Sequence, residues 1–129
     1  MTTCTRRLQF CAGHRVMGHE NKCANLHGHN YEVLVTASAA SLDNIGRVID
    51  FSVLKERIGG WIEEHWDHGF IVYQEDHAAH AALALFMETT GKQKVFLLPD
   101  NPTAENLAEY LLRTVCPQAL EGTGVTVLC

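Results

Sequence analysis

The chain reads as an α+β domain. Three features predict this: two segments of period-two apolar alternation near the N-terminus, helix-period apolar stripes further along, and glycine- or polar-rich turns between them. With 129 residues and a 47% hydrophobic composition, the chain has the size and apolar content of one domain with its own core. No internal repeat, linker or low-complexity segment divides it, so residues 1–129 are predicted to form a single domain.

Arg6 to His14 reads as a strand, with Leu8, Phe10, Ala12 and His14 on one face. The irregular residues Arg15 to Lys22, among them Gly18, Glu20 and Asn21, form a loop that shapes whatever lies beside it. From His29, the residues Tyr31, Val33, Val35 and Ala37 alternate with Asn30, Glu32, Thr36 and Ser38, giving a long half-buried strand in which only Leu34 breaks the polar side. Asp43-Asn44-Ile45-Gly46 is a turn, and Arg47 to Phe51 leads into a helix capped by Asp50 or Ser52. That helix, Val53 to His65, carries Leu54, Ile58, Trp61 and Ile62 at helical spacing. Gly59-Gly60 weakens it by about 1 kcal/mol per glycine, which leads us to expect close packing there.

After Trp66, the polar triplet Asp67-His68-Gly69 precedes a strand from Phe70 to Tyr73. The alanine-rich stretch His77 to Thr90 is predicted as a helix ended by Gly91, and Lys94 to Leu98 as a strand. Asn101-Pro102-Thr103 opens a last helix whose stripe is Leu107, Ala108, Leu111, Leu112 and Val115, with Pro117 expected to end it. Gly122 and Gly124 lead into Val125 to Cys129, which begins like a strand and stops.

A formal charge of −5 leaves no basic stripe for a phosphate backbone, so nucleic acid is not an expected partner. No run approaches the roughly 18 apolar residues of a spanning helix, and the N-terminal residues lack a signal-peptide core. A cytosolic protein without a membrane partner is therefore predicted. The five cysteines form an odd set without the spacing of a disulfide framework, which fits a reducing compartment. Cys11 and Cys116 read as packing residues.

Cys23 is different, because it belongs to the stretch Lys22-Cys23-Ala24-Asn25-Leu26-His27-Gly28-His29-Asn30-Tyr31. His27 and His29 are two apart, so in an extended chain they share a face. His14, at the end of the first strand, is the obvious third imidazole. Three imidazoles with a fourth position open make the ligand pattern of a catalytic zinc, whereas structural zinc sites have four protein ligands and are rich in thiolate. A ring nitrogen that does not face the metal is expected to be held by a carboxylate or a carbonyl; Glu32 or Asp50 could serve, and the sequence does not choose. Cys23 fits a nucleophile or base, since positive charge nearby favours thiolate; as a fourth ligand it would instead make the site structural. Asp67-His68 can act as a base and its orienter only if the chain turns there. Glu105 has an ordinary reason to sit in a helix's first turn, worth about 0.3–1 kcal/mol of dipole interaction. His77 and His80, three apart on the alanine-rich helix, have a spacing that can bind metal, but surface histidines there need no function.

Taken together these motifs resemble the 6-pyruvoyltetrahydropterin synthase family, and within it the bacterial 6-carboxytetrahydropterin synthases. The resemblance rests on Phe10-Cys11-Ala12-Gly13-His14, on Cys23 through Tyr31, on Gly46-Arg47-Val48-Ile49-Asp50-Phe51, on Asp67-His68, and on Pro102-Thr103-Ala104-Glu105-Asn106. It implies a tunnelling fold, in which a four-stranded antiparallel sheet carries two main helices on one face and closes into barrels as trimers or hexamers, with active sites between subunits. It implies Zn2+ on His14, His27 and His29, proton transfer by Cys23, and Asp67 with His68 supplied by a neighbouring chain. A pterin is the implied substrate, with Thr103 and Glu105 as candidate contacts. The implied reaction converts 7,8-dihydroneopterin triphosphate to 6-carboxy-5,6,7,8-tetrahydropterin in queuosine biosynthesis; elimination to 6-pyruvoyltetrahydropterin, a non-enzymatic zinc module and a zinc hydrolase are the alternatives. Trp66 stands where the family has leucine, and the segment from Glu75 to Lys94 is longer than in compact members. Similar proteins continue the last strand to a glutamate that anchors the pterin, so the resemblance predicts an incomplete C-terminal strand and weak pterin binding.

Overall fold

The computed structural model describes residues 1–128. Its centre is an antiparallel hairpin of β1 (Thr3–His14) and β2 (His27–Ala39), the two segments whose alternation is clearest. Their register sets Leu8 opposite Val33, Phe10 opposite Tyr31, Ala12 opposite His29 and His14 opposite His27. Apolar side chains therefore share one face of the hairpin, while Gln9, Cys11, Asn30 and Glu32 take the other. Leu34, on that second face, is 56% exposed, as the break in its polar pattern predicts.

β3 (Gly69–Tyr73) lies parallel to β1, β4 (Val95–Leu98) lies parallel to β3, and β5 (Val125–Val127) pairs antiparallel with β2. The sheet is thus five-stranded and mixed, in the order β4-β3-β1-β2-β5, and not the four-stranded antiparallel sheet expected. The helix between β3 and β4 explains part of the difference: a crossover helix returns the chain to the end from which it left, so the strands it joins run parallel. β5 is a strand as far as Val127, and Cys129 lies outside the described residues.

Among the described residues, three helices cover the sheet. α1 (51–65) begins at Phe51, two residues earlier than predicted; Asp50 is its cap, accepting the Ser52 N–H at 2.9 Å. α2 (His77–Thr90) has the predicted boundaries, with Asp76 as N-cap and Gly91 at φ 91° as its left-handed terminus. α3 (104–119) starts after Thr103, whose hydroxyl accepts the Asn106 N–H at 3.2 Å.

Pro117 does not end α3, which runs on to Ala119. The residues Leu111–Val115 form a π turn, and the Cys116 N–H bonds back to Leu111. This wider turn places Pro117 at the start of a fresh α turn, where a missing N–H costs little. α1 contains a similar π turn over Lys55–Gly59. Its glycine pair is not a close-packing device: a Cβ at Gly59 would meet Leu8 at an ordinary 3.5 Å, and one at Gly60 would meet nothing within 4 Å.

α1 and α3 pack on the apolar face of the hairpin, where Leu54, Ile58, Ile62, Leu107, Leu111 and Val115 are buried with Leu8, Phe10 and Val35. This matches the two main helices expected on one face. α2 lies on the opposite face, where Ala79 and Leu83 pack with Phe70, Val72 and Val95. Alternation in β3 makes that division, since Ile71 points to the main core and its neighbours point away. Trp66 is fully buried among Phe10, Trp61 and Phe96, with ring centroids 5.7, 5.2 and 6.0 Å away, so the tryptophan in the leucine position is a core-filling residue.

Candidate functional site

The end of the hairpin brings the three histidines together. His14 closes β1, His27 opens β2 directly opposite, and His29 faces the same side two residues on. Ring centroids are 4.6 Å apart for His14 and His27, 5.0 Å for His14 and His29, and 4.7 Å for His27 and His29. One nitrogen from each lies within 4.8 Å of the other two, so the group can hold a metal ion.

Two of the rings are held by backbone carbonyls. His14 Nδ1–H donates to Pro102 O at 2.7 Å, and His27 Nδ1–H donates to Asn25 O at 2.7 Å. Both rings are thereby fixed in the tautomer that leaves Nε2 as a bare lone pair. His14 Nε2 is buried with no hydrogen-bond partner, an arrangement that costs free energy unless a cation fills it. Burial lowers the His14 pKa, with further lowering from His27 and His29 against the Pro102 bond, so the ring is neutral as metal binding requires. Of the two kinds of partner expected for these rings, it is the carbonyl that is found, and neither Glu32 nor Asp50 supports a histidine. Glu32 lies on the other face toward Arg7 at 3.8 Å, and Asp50 is engaged by Arg47 and Ser52. Which carbonyls would support the rings had no side-chain signature. Asn101 also fixes Pro102 from the side, exchanging hydrogen bonds with the Met17 backbone at 3.0 and 2.8 Å.

Cys23 sits in a single 3-10 turn, Lys22–Ala24, half-buried and outside the group of ligand atoms. Its carbonyl accepts the Val16 N–H at 2.8 Å. Arg15 braces this loop: its guanidinium donates to the Ala24 carbonyl at 3.3 Å and grips Asp76 with two bonds of 2.6 and 2.8 Å. The Arg15 guanidinium, then the Ala79 N–H, hold the Asp76 carboxyl below its usual range against the opposing effect of burial. Sequence reasoning missed this pair, because its members are 61 residues apart.

Asp67 and His68 lie in the turn that a base-and-orienter pair requires. His68 has φ 61°, a left-handed conformation uncommon for a residue other than glycine, and its Nδ1 stands 2.9 Å from Asp67 Oδ2. Asp67 Oδ1 accepts the Cys11 N–H at 3.0 Å, and His68 N–H donates to Cys11 O at 2.7 Å. Burial pushes the Asp67 carboxyl upward, but the Cys11 N–H and His68 outweigh it and hold it below its usual range. Within one chain these residues meet Cys11, not Cys23: ligand atoms of Cys11, Asp67 and His68 lie within 4.8 Å of one another. Cys11 is therefore not the packing residue expected. Cys116 is one, with burial pushing its thiol up to about 11.

Glu105 is exposed in the first turn of α3, and the Thr103 hydroxyl is engaged in capping. His77 and His80 are exposed on α2 and join no ligand group among the described residues. No helix among the described residues is long and apolar enough to cross a membrane.

The family model described as 6-pyruvoyl tetrahydropterin synthase matches residues 3–128. The chain belongs to this family. A 6-carboxy-5,6,7,8-tetrahydropterin synthase of Rickettsia bellii is 42% identical over 121 residues, covering 94% of this chain and 85% of the relative. A protein of the same name from Aquifex aeolicus is 35% identical, covering 82% of this chain and 74% of its own length. The fold is that of an uncharacterized protein from Wolinella succinogenes, whose crystal structure matches with a TM-score of 0.79 at 24% identity over 98% of this chain and 88% of that one.

Proposed function

We propose that this pterin synthase family member is a zinc-dependent 6-carboxy-5,6,7,8-tetrahydropterin synthase. It acts on 7,8-dihydroneopterin triphosphate and one water, releases acetaldehyde and triphosphate, and serves queuosine biosynthesis in the cytosol. The observation that carries this reading is the buried, partnerless Nε2 of His14 aimed among two further imidazoles, in a chain whose curated relatives bear that name.

His14, His27 and His29 would hold the zinc, which when bound supplies a Lewis acid that polarises the hydroxyl oxygens of the substrate side chain. The remaining work falls to the chain's own groups. Cys23, on the loop braced by Arg15 and Asp76, takes a carbon-bound proton as thiolate. Asp67 orients His68, whose 77% exposed side chain is available to a neighbouring chain for proton transfer. Sites built in this way require a homo-oligomer, a trimer or hexamer closing its sheets into a barrel. Glu105 is exposed beside the histidine-supporting loop and can meet the pterin ring, while Thr103 sets the start of its helix. The position of Cys23 outside the ligand group supports an open catalytic centre over a closed structural one. Incubating zinc-loaded protein with 7,8-dihydroneopterin triphosphate and identifying products by mass tests the reading: 6-carboxytetrahydropterin with acetaldehyde supports it, and 6-pyruvoyltetrahydropterin or no turnover overturns it.

A further inference from the structure

The polar face of the hairpin carries a second group of metal-ligating side chains. We infer that Cys11, Asp67 and His68 form a second, weaker transition-metal site, taking Zn2+ or Co2+ through a thiolate, a carboxylate oxygen and an imidazole nitrogen. Cys11 alternates with Ala12 in β1, so this site and the three-histidine group face opposite sides of the sheet.

The ligand atoms lie within 4.8 Å of one another. Tetrahedral zinc with bonds of 2.0–2.3 Å needs ligands about 3.3–3.5 Å apart, so a movement of no more than about 1.5 Å closes the set. The backbone already holds the three residues in place, because Cys11 N–H bonds Asp67 Oδ1 and His68 N–H bonds the Cys11 carbonyl. The His68 side chain is 77% exposed and free to make the movement. Its left-handed backbone belongs to the turn that follows α1, and that turn leaves Nδ1 2.9 Å from Asp67 Oδ2.

The donor set chooses the cation. Sulfur, nitrogen and a single carboxylate suit zinc or cobalt, whereas calcium and magnesium demand oxygen throughout. Thiolate and carboxylate together bring two negative charges to a divalent ion. The nearby cation, Lys94, is held by the carbonyls of Glu63 and Asp67 at 2.8 and 2.6 Å. A groove of 440 Å³ opens over the group, with Asn30 and Glu32 on its wall, leaving room for water or a fourth oxygen ligand. An ion there takes Asp67 and His68 out of proton transfer, so excess metal should inhibit turnover; this last consequence alone rests on the function proposed above.

The test is a Co2+ titration of the metal-stripped full chain, followed by absorbance. Thiolate ligation gives a sulfur-to-cobalt charge-transfer band, and a three-histidine site gives none. We expect two equivalents per chain, the band appearing with the weaker one. Cys11→Ser should abolish the band and that equivalent while keeping the first, and Cys23→Ser should change neither. His68→Ala should weaken the second equivalent by more than about tenfold, the loss that removing even a supporting group can cause. The band should survive His27→Ala. Absence of the band, its survival in Cys11→Ser, or its loss in Cys23→Ser would each overturn the site. A band without the other equivalent would support this site and count against the three-histidine centre instead.

Discussion

The imidazole of His14 and the carbonyl of Pro102 are joined by a 2.7 Å hydrogen bond across 88 residues of sequence, linking the end of β1 to the start of α3. Its effect is to point a neutral ring with a bare Nε2 at His27 and His29. Replacing His27 or His29 with alanine should therefore remove most bound metal, measured by elemental analysis after dialysis. Full metal retention in both variants would contradict the assignment. Chelation should also lower the melting temperature, since an ion at 100 times its Kd stabilises the native state by about 2.7 kcal/mol.

Cys23→Ala should keep the metal and the oligomer but lose turnover by about 10²–10⁴-fold, the range of general acid–base catalysis. Metal loss as large as in the histidine variants would make Cys23 a ligand. Unchanged turnover would leave it without either role.

The Arg15–Asp76 pair sets an acid limit on stability. The Asp76 carboxyl is held below its usual 3.8, so its contribution is fully present above that value and is lost as pH falls through the depressed folded value. Arg15→Gln should cost about 3 kcal/mol at pH 7, because it leaves a buried carboxylate unpaired, and should flatten the decline in stability below pH ~4. Urea denaturation at pH 7 and pH 3 measures both effects; an equal loss at the two pH values would contradict the linkage.

His68→Gly should relieve the left-handed backbone and hold or raise stability by about 1 kcal/mol, while turnover falls by about 10²-fold or more. Thermal melts and steady-state rates on one preparation decide it. A variant that is both less stable and fully active would reverse the roles given to backbone and side chain.

At the start of α3, Thr103→Ala should cost about 1 kcal/mol through the lost cap. Glu105→Gln should cost no more than about 1 kcal/mol, the dipole contribution of its charge, yet raise KM for the pterin, as expected of an exposed residue kept for contact. An unchanged KM would remove Glu105 from the substrate site.

The sequence made these elements unequally visible. β1 and β2 could be read because one of their faces meets the core and the other meets water, so alternation marks both the strands and the convergence of His14 with His29. Phe70 to Tyr73 carries no comparable mark of direction, and the parallel pairing emerges only when α2 crosses between β3 and β4. The π turns leave helical stripes intact, so Pro117 looked like a terminus. Arg15 and Asp76 are 61 residues apart, and carbonyl partners such as Pro102 have no sequence signature at all. Cys11 could be assigned to its face by period, but a thiol's role depends on what stands over it, and that is the turn at Asp67.

The three histidines span only residues 14–29, all within one hairpin whose register sets His14 against His27. The ligand set therefore has low contact order and closes before any helix must dock, because joining so short a segment costs little loop entropy. An ion available during refolding can nucleate the hairpin and fix its register against a one-residue slip, which would turn the imidazoles to opposite faces. The carbonyl of Pro102 comes from the start of α3 and is not needed for that closure. Refolding with and without Zn2+ should thus differ most in its earliest phase.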